Sequence, residues 1–280
     1  MRALIIALGL GAMLSACATA PRPGQTAANE LIAIEAEFAR EADQIGIVPA
    51  FRRYVGPEAI LFLPDPTVIN PMLETATWPG DLDWRPEFVV VSASGDLALT
   101  TGPSVWRVGE NADLGVYFSI WKRRPDGAWK FAIDGNTPMA EDLYALPGTP
   151  PEILAGRGET GAPTTSIQAL ESVLAADASR DARDALLSRL DPRGRVMRAN
   201  AAPAIGVEAA RALLTSQPPM LDLRLIDGGM AASGDLAYGY GEARWSEGAA
   251  RRRGYWARVW RRDGDVWRIV FDQLNIRPEA

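Results

Sequence analysis

Two aspartates close matching motifs in this chain: Asp134 ends WKFAID, which begins at Trp129, and Asp272 ends WRIVFD, which begins at Trp267. A carboxyl at the end of a strand becomes a general acid or base when its face lines a pocket and burial lifts its pKa toward neutrality. Strict alternation along a strand sets Asp134 opposite Trp129, Phe131 and Ile133, and Asp272 opposite Trp267, Ile269 and Phe271. The competing reading is a structural aspartate bonded to turn amides or to an arginine. One strand earlier, Tyr117, Ser119 and Trp121 share a face, matched by Trp256, Arg258 and Trp260. Aromatic walls around a polar group suit a pocket for a small apolar ligand, and equally an interface between two sheets. The exchange of Ser119 for Arg258 makes the two faces chemically unequal.

Other chemistry is excluded by composition. The sequence has no histidine, which removes Ser-His-Asp and Cys-His machinery and every His-ligated metal site. Its formal net charge of −6 argues against a nucleic-acid partner, because binding to phosphates needs clustered cations. The arginine-rich run from Arg251 to Arg262 reads as a hairpin and the solvent face of a strand, where charge discourages edge pairing. Asp83 with Arg85, and Asp222 with Arg224, read as outer-face ion pairs of small energetic value. Gly156, Gly158 and Gly161 have the spacing of a dinucleotide fingerprint without the flanking strand and helix it requires. No cofactor and no metal site is therefore expected.

The elements that hold these residues occur twice. ASGDLA appears at Ala93 to Ala98 and again at Ala232 to Ala237, and a shift of 139 residues aligns the surroundings as well. Trp106 meets Trp245, Gly102 meets Gly241, Gly115 meets Gly254 and Trp121 meets Trp260. Self-similarity at so long a period marks a duplicated unit. In the first copy Asn29 can cap a helix whose Leu31, Ile34, Phe38 and Ala42 fall at helical spacing. A short helix over Pro49 to Tyr54 and a strand over Ala59 to Leu63 follow. Four strands complete the unit: Leu82 to Val91, Leu97 to Trp106, Gly115 to Lys122 and Trp129 to Asp134. The second copy opens with helical Ile167, Leu170 and Leu174, then a strand at RVMRA and a helix over Val207 to Leu214. The Pro-rich PDPTVINPMLETATWPG replaces that last helix in the first copy. Gly95 and Gly234, like Gly127 and Gly264, sit where tight hairpins demand positive φ, so ASGDLA reads as a hairpin corner.

Helices followed by a curved antiparallel meander, with SGDL…G…W and a closing W-x-x-x-x-D, resemble the nuclear transport factor 2-like superfamily, in its ketosteroid-isomerase and SnoaL-type branch. The resemblance implies an α+β fold of two cone-shaped, cystatin-like units, each with helices packed on a curved antiparallel sheet. It spans residues 29–137 and 166–278, with a Pro- and Gly-rich linker at 138–165. It implies pockets at the open ends of the cones, holding an acid or base in catalytic members, and pairing of units sheet to sheet, so that a tandem chain forms its own pseudo-dimer. The functional expectation is a small-molecule-binding or accessory module. The alternatives are a cofactor-independent isomerase, dehydratase or cyclase using Asp134 or Asp272, and a structural envelope scaffold.

At the other end, Arg2 and the apolar ALIIALGLGAML read as a secretory signal over residues 1–16, since the run is shorter than the ~20 residues of a membrane span. LSAC resembles a bacterial lipobox, which implies lipidation of Cys17, the sole cysteine. Residues 17–28 read as a flexible tether. By resemblance to sorting in Gram-negative lipoproteins, Ala18 after the cysteine favours the outer membrane, so the expectation is a lipid-anchored protein at the outer membrane or another periplasm-facing membrane.

Overall fold

The computed structural model describes residues 23–63, 65–156 and 165–277. Cys17, Gly158 and Gly161 lie outside them. The chain opens with helix α1 (Pro23–Ile45), followed by α2 (Ile47–Tyr54), β1 (Val55–Phe62), β2 (Pro66–Val68), α3 (Ile69–Thr75), β3 (Asp81–Trp84) and β4 (Phe88–Val91). The long strands β5 (Leu97–Val108), β6 (Asn111–Arg123) and β7 (Trp129–Pro138) then form a meander, and β8 (Glu152–Ala155) returns to the sheet. Gly24, Ala27, Ala28, Leu31, Glu35, Phe38 and Ala42 are the buried positions of α1, the spacing that one helix face presents to a sheet. The helix starts at Pro23, so Asn29 lies within it and caps nothing. The Pro-rich segment contains the short α3, so the first copy does hold a helix there.

The first sheet runs β2-β1-β7-β6-β5-β4-β8, with β3 also pairing with β5. The single strand expected over Leu82 to Val91 is broken in two at Pro86, which has no amide hydrogen and forces Arg85 into extended geometry. In the second copy Leu225 stands at that place, and the strand continues through a bulge between Leu225 and Asp227. Within the stretch read as linker, Glu152–Ala155 pairs in parallel with Phe88–Val91.

The second unit repeats the plan: α4 (Ile167–Leu187), β9 (Leu190–Arg198), β10 (Ala204–Ile205), α5 (Gly206–Leu213), β11 (Asp222–Met230), β12 (Leu236–Glu247), β13 (Ala250–Asp263) and β14 (Val266–Ile276). Its sheet is ordered β10-β9-β14-β13-β12-β11. Ser166 caps α4 by accepting from the Ala169 amide, and Gly95, Gly127, Gly234 and Gly264 all have positive φ at their turns. The molecule is therefore an α+β protein of two sheets, each with its own helices.

The repeated hexapeptides are hairpin corners, and they also touch each other. The Ala93 amide donates to Asp235 Oδ2 at 3.0 Å, and the Ala232 amide donates to Asp96 Oδ2 at 2.9 Å. Between them the hydroxyls of Ser94 and Ser233 are 2.8 Å apart. Beside this reciprocal contact, outward residues of both sheets form one apolar cluster, including Val116, Phe118 and Ile120 from β6 and Ala257, Val259 and Phe271 from the second unit. The ring centroids of Phe118 and Phe271 are 5.2 Å apart.

Candidate functional site

Between its helices and sheet, the first unit encloses a cavity of about 260 Å³. Aromatic side chains make the wall: Phe38 from α1, Phe51 from α2, Trp78 from the segment before β3, Trp84 from β3 and Trp106 from β5. They brace one another, with Phe38 edge-on to Phe51 at 5.0 Å and to Trp84 at 4.8 Å. Polar atoms enter from the sheet alone: Ser104, Asp113, Tyr117, Ser119, Asp134 and Asn136. Tyr117 and Ser119 thus face the helices and the cavity, while Val116 and Phe118, which alternate with them along β6, face the other unit. Trp121 lies on the inner face too, fully buried behind the cavity, where its Nε1 donates to Glu35 at 3.1 Å.

Asp134 reaches the same space through a bulge. The register pairs Ile120 with Ile133 but Trp121 with Phe131, leaving Ala132 without a partner. The extra residue resets the alternation, so Asp134 shares the inner side with Trp129 and Phe131 and is opposite only Ile133. The same slip occurs at Val270, between Val259–Phe271 and Trp260–Ile269. Ile269 therefore joins the second cone's core, whereas Phe271 faces the first unit. The strict alternation expected from sequence fails at these two points.

The first cone contains acids without cations. Burial pushes the Asp134 carboxyl up to about 7; the Ser119 hydroxyl, donating at 2.5 Å, works against this, and the charge of Glu35 adds to it. Glu35 is buried on α1 and accepts from the Thr100 hydroxyl, from Trp84 Nε1 at 2.8 Å and from Trp121 Nε1. Burial still lifts it above the ordinary glutamate value, because its partners are neutral. Burial, with the charges of Glu35 and Asp134, drives Tyr117 well above an ordinary phenol. The buried Tyr117 hydroxyl lies beside the Thr100 hydroxyl and the Glu35 carboxyl, without a well-aligned hydrogen bond to either.

The second cone is filled. Arg258, at the position of Ser119, donates from Nε to Asp272 at 2.8 Å and from a terminal nitrogen to Glu171 at 2.5 Å. Arg198 on β9 approaches Asp272 from the other side at 2.8 Å. Burial opposes ionisation of Asp272, but the guanidiniums of Arg258 and Arg198 outweigh it and hold the carboxyl below the ordinary value. Trp260 Nε1 donates to Glu171 at 2.6 Å, and Arg258 stacks over Trp256 at 4.6 Å. About 30 Å³ of space remains there. Asp272 is thus the arginine-bonded structural aspartate, and Asp134 is the one that faces open space.

The surface residues also differ from expectation. Arg258 and Arg261 are buried, not solvent-facing, whereas Arg251 and Arg253 are exposed at the hairpin. Arg85 pairs with Glu87 at 3.1 Å and bonds the carbonyls of Leu143, Tyr144 and Leu146, while Asp83 pairs with Arg107 at 2.5 Å. Among the described residues no group of three or more acids or cysteines is placed to hold a metal ion, and no helix is long and apolar enough to cross a membrane.

Sequence reasoning missed Glu35 and Glu171. The signal was present: each interrupts an apolar helical stripe, Leu31-Glu35-Phe38-Ala42 in one copy and Ile167-Glu171-Leu174-Ala178 in the other. A charged residue repeated on two buried faces is a site candidate.

No protein-family model and no curated protein matches the chain. Solved structures similar to it include a nuclear transport factor 2-like protein of unknown function from Shewanella oneidensis, 15% identical, covering 38% of this chain and 92% of that one, with a TM-score of 0.32. A ketosteroid isomerase-like protein from Erwinia carotovora is 11% identical over 39% of this chain and 93% of its own, with a TM-score of 0.35. A nuclear transport factor 2-like protein with a cystatin-like fold from Novosphingobium aromaticivorans is 18% identical over 41% and 81%, with a TM-score of 0.33. Each of these likenesses spans about 40% of the chain.

Proposed function

We propose that this protein is a ligand-binding module whose working site is the cavity of the first unit, with the second unit as its filled support, held at the envelope membrane by lipid on Cys17. One observation carries the reading: a cavity of about 260 Å³ with an unpaired carboxyl in one unit, against about 30 Å³ around a neutralised one in the other. Apolar walls with a few converging polar atoms are the usual make-up of small-molecule sites. The LSAC motif and the single cysteine support the anchor, and the paired corners support an intramolecular pseudo-dimer.

The test is a thermal-shift screen of the mature chain with Cys17 replaced, against sterol-like, aromatic and other apolar compounds. A ligand that binds the folded state raises Tm with its excess over Kd. Ser119→Arg, which copies the second unit, is expected to abolish every hit. A hit that survives Ser119→Arg places binding elsewhere and rejects the reading.

A second reading is catalysis by proton transfer, in an isomerase, dehydratase or cyclase. It is favoured by Asp134, whose pKa of about 7 suits a group that both takes and returns a proton. Under this reading Asp134→Asn removes turnover of a bound compound and leaves its binding intact. Unchanged turnover in that variant excludes it.

A further inference from the structure

We infer that the first-unit cavity takes a hydrophobic organic cation, an amine or guanidine on an apolar body, whose positive group sits between Asp134 and Glu35 where the second unit places the guanidinium of Arg258. This rests on the binding role proposed above and names the chemistry of its ligand.

The duplicated fold supplies the template. In the second cone a guanidinium bridges the helix glutamate and the strand-end aspartate, bonding Glu171 and Asp272 and stacking over Trp256. The first cone keeps the counterpart of each partner: Glu35 on the helix, Asp134 at the strand end, and Tyr117 at the place of Trp256. It lacks both cations of the second cone: Ser119 is too short to replace Arg258, and no arginine of the lining takes the part that Arg198 plays beside Asp272. The volume that Arg258 fills in one unit is part of the open cavity in the other.

The charges around the cavity agree. Its lining includes Asp134 at the base and Asp113 at the mouth, and no lysine or arginine. The groups that face Asp134 are the Glu35 carboxyl from α1 and two neutral hydroxyls of β6, those of Ser119 and Tyr117. The lining residues of α2, β1, β3 and β5 are uncharged. A cation over aromatic faces and beside a carboxylate out of water is held by both. An anion would meet the carboxyls of Asp134, Glu35 and Asp113 with no cation to offset them, and a neutral ligand would leave ionised Asp134 without a counter-charge.

Calorimetry with matched probes tests this: tryptamine and 2-phenylethylguanidine as cations, tryptophol as the neutral counterpart and indole-3-acetate as the anion. At pH 8.5 the cations are expected to bind at least tenfold tighter than tryptophol, with no binding of indole-3-acetate. Because the cation selects ionised Asp134, its affinity falls as pH drops below about 7, and binding near pH 6 releases a proton, read from the heats in two buffers. In Asp134→Asn the preference for the cations disappears while tryptophol still binds, which shows the cavity intact. Ser119→Arg, carrying its own cation, binds neither cation. Tryptophol binding as tightly as tryptamine, or a cation preference that survives Asp134→Asn, overturns the inference and leaves the binding role standing. Cations that fail to bind while neutral compounds score in the thermal-shift screen overturn it as well. Failure of these probes together with an empty screen removes the binding role itself.

Discussion

In the first cone Ser119 donates to Asp134 beside open space; in the second Arg258 fills the same place and bonds both Glu171 and Asp272. The two positions share a glutamate on the first helix, a tryptophan Nε1 donating to it, and a bulge that turns the last aspartate inward, while the second cone adds Arg198 and has Trp256 where the first has Tyr117. The difference teaches how a duplicated fold separates two roles. An internal cation neutralises the acids and closes the space, and a hydroxyl leaves both acids and space available. Each arrangement has its own cost, which is where the comparison can be broken.

The largest effect is expected in the filled cone. Arg258→Ser makes it resemble the first but leaves Glu171 and Asp272 buried with too little positive charge. Removing one partner of a buried ion pair costs roughly 3–5 kcal/mol, read as a fall in the urea midpoint. A midpoint within error of the parent would mean that the arginine does not hold this unit together.

The two aspartates should also give opposite responses to pH. Asp134 titrates higher in the folded protein than unfolded, so the folded state binds more protons between about pH 4 and 7 and stability falls as pH rises through that window. The shift corresponds to roughly 4 kcal/mol. Asp134→Asn removes that slope and is more stable than the parent at pH 8. Asp272 titrates lower when folded, so its contribution is present above the ordinary aspartate pKa and lost as pH falls through the depressed one. Unfolding curves of Asp134→Asn that parallel the parent at every pH contradict the assignment.

A smaller effect is expected where the units meet. Asp96→Ala and Asp235→Ala each remove a carboxylate from an amide of the other unit, for about 1–2 kcal/mol. If the corners act together, the double variant loses less than the sum of the two, and strict additivity would uncouple them. Smallest is Ser119→Ala, which removes one donor to Asp134. It should shift that carboxyl upward by less than about one pKa unit and leave stability within ~1 kcal/mol.

Much of this was legible in the sequence because the repeat supplied its own control. Matching turns fixed Gly95, Gly127, Gly234 and Gly264, and the meander followed from them. Tyr117, Ser119 and Asp134 were recognisable as site candidates from residue type alone. Their common side was not, since the bulges at Ala132 and Val270 depend on pairing with a neighbouring strand, and simple alternation misassigned the faces. Arg198 as a partner of Asp272 was hidden as well, because β9 and β14 meet only in the folded sheet. Glu35 and Glu171 were readable and overlooked: an acid on a buried helical stripe needs partners, and the indoles of Trp121 and Trp260 were already aligned by the repeat.

The most direct test is a carbon-13 NMR titration of the aspartate carboxyls in the intact chain, with Asp134 and Asp272 assigned by their asparagine variants. Asp134 is expected to titrate near 7 while Asp272 remains ionised to below the ordinary aspartate range. Two carboxyls titrating together near 4 would contradict it, for then neither cone would differ from water in the way that separates a binding site from a filled one.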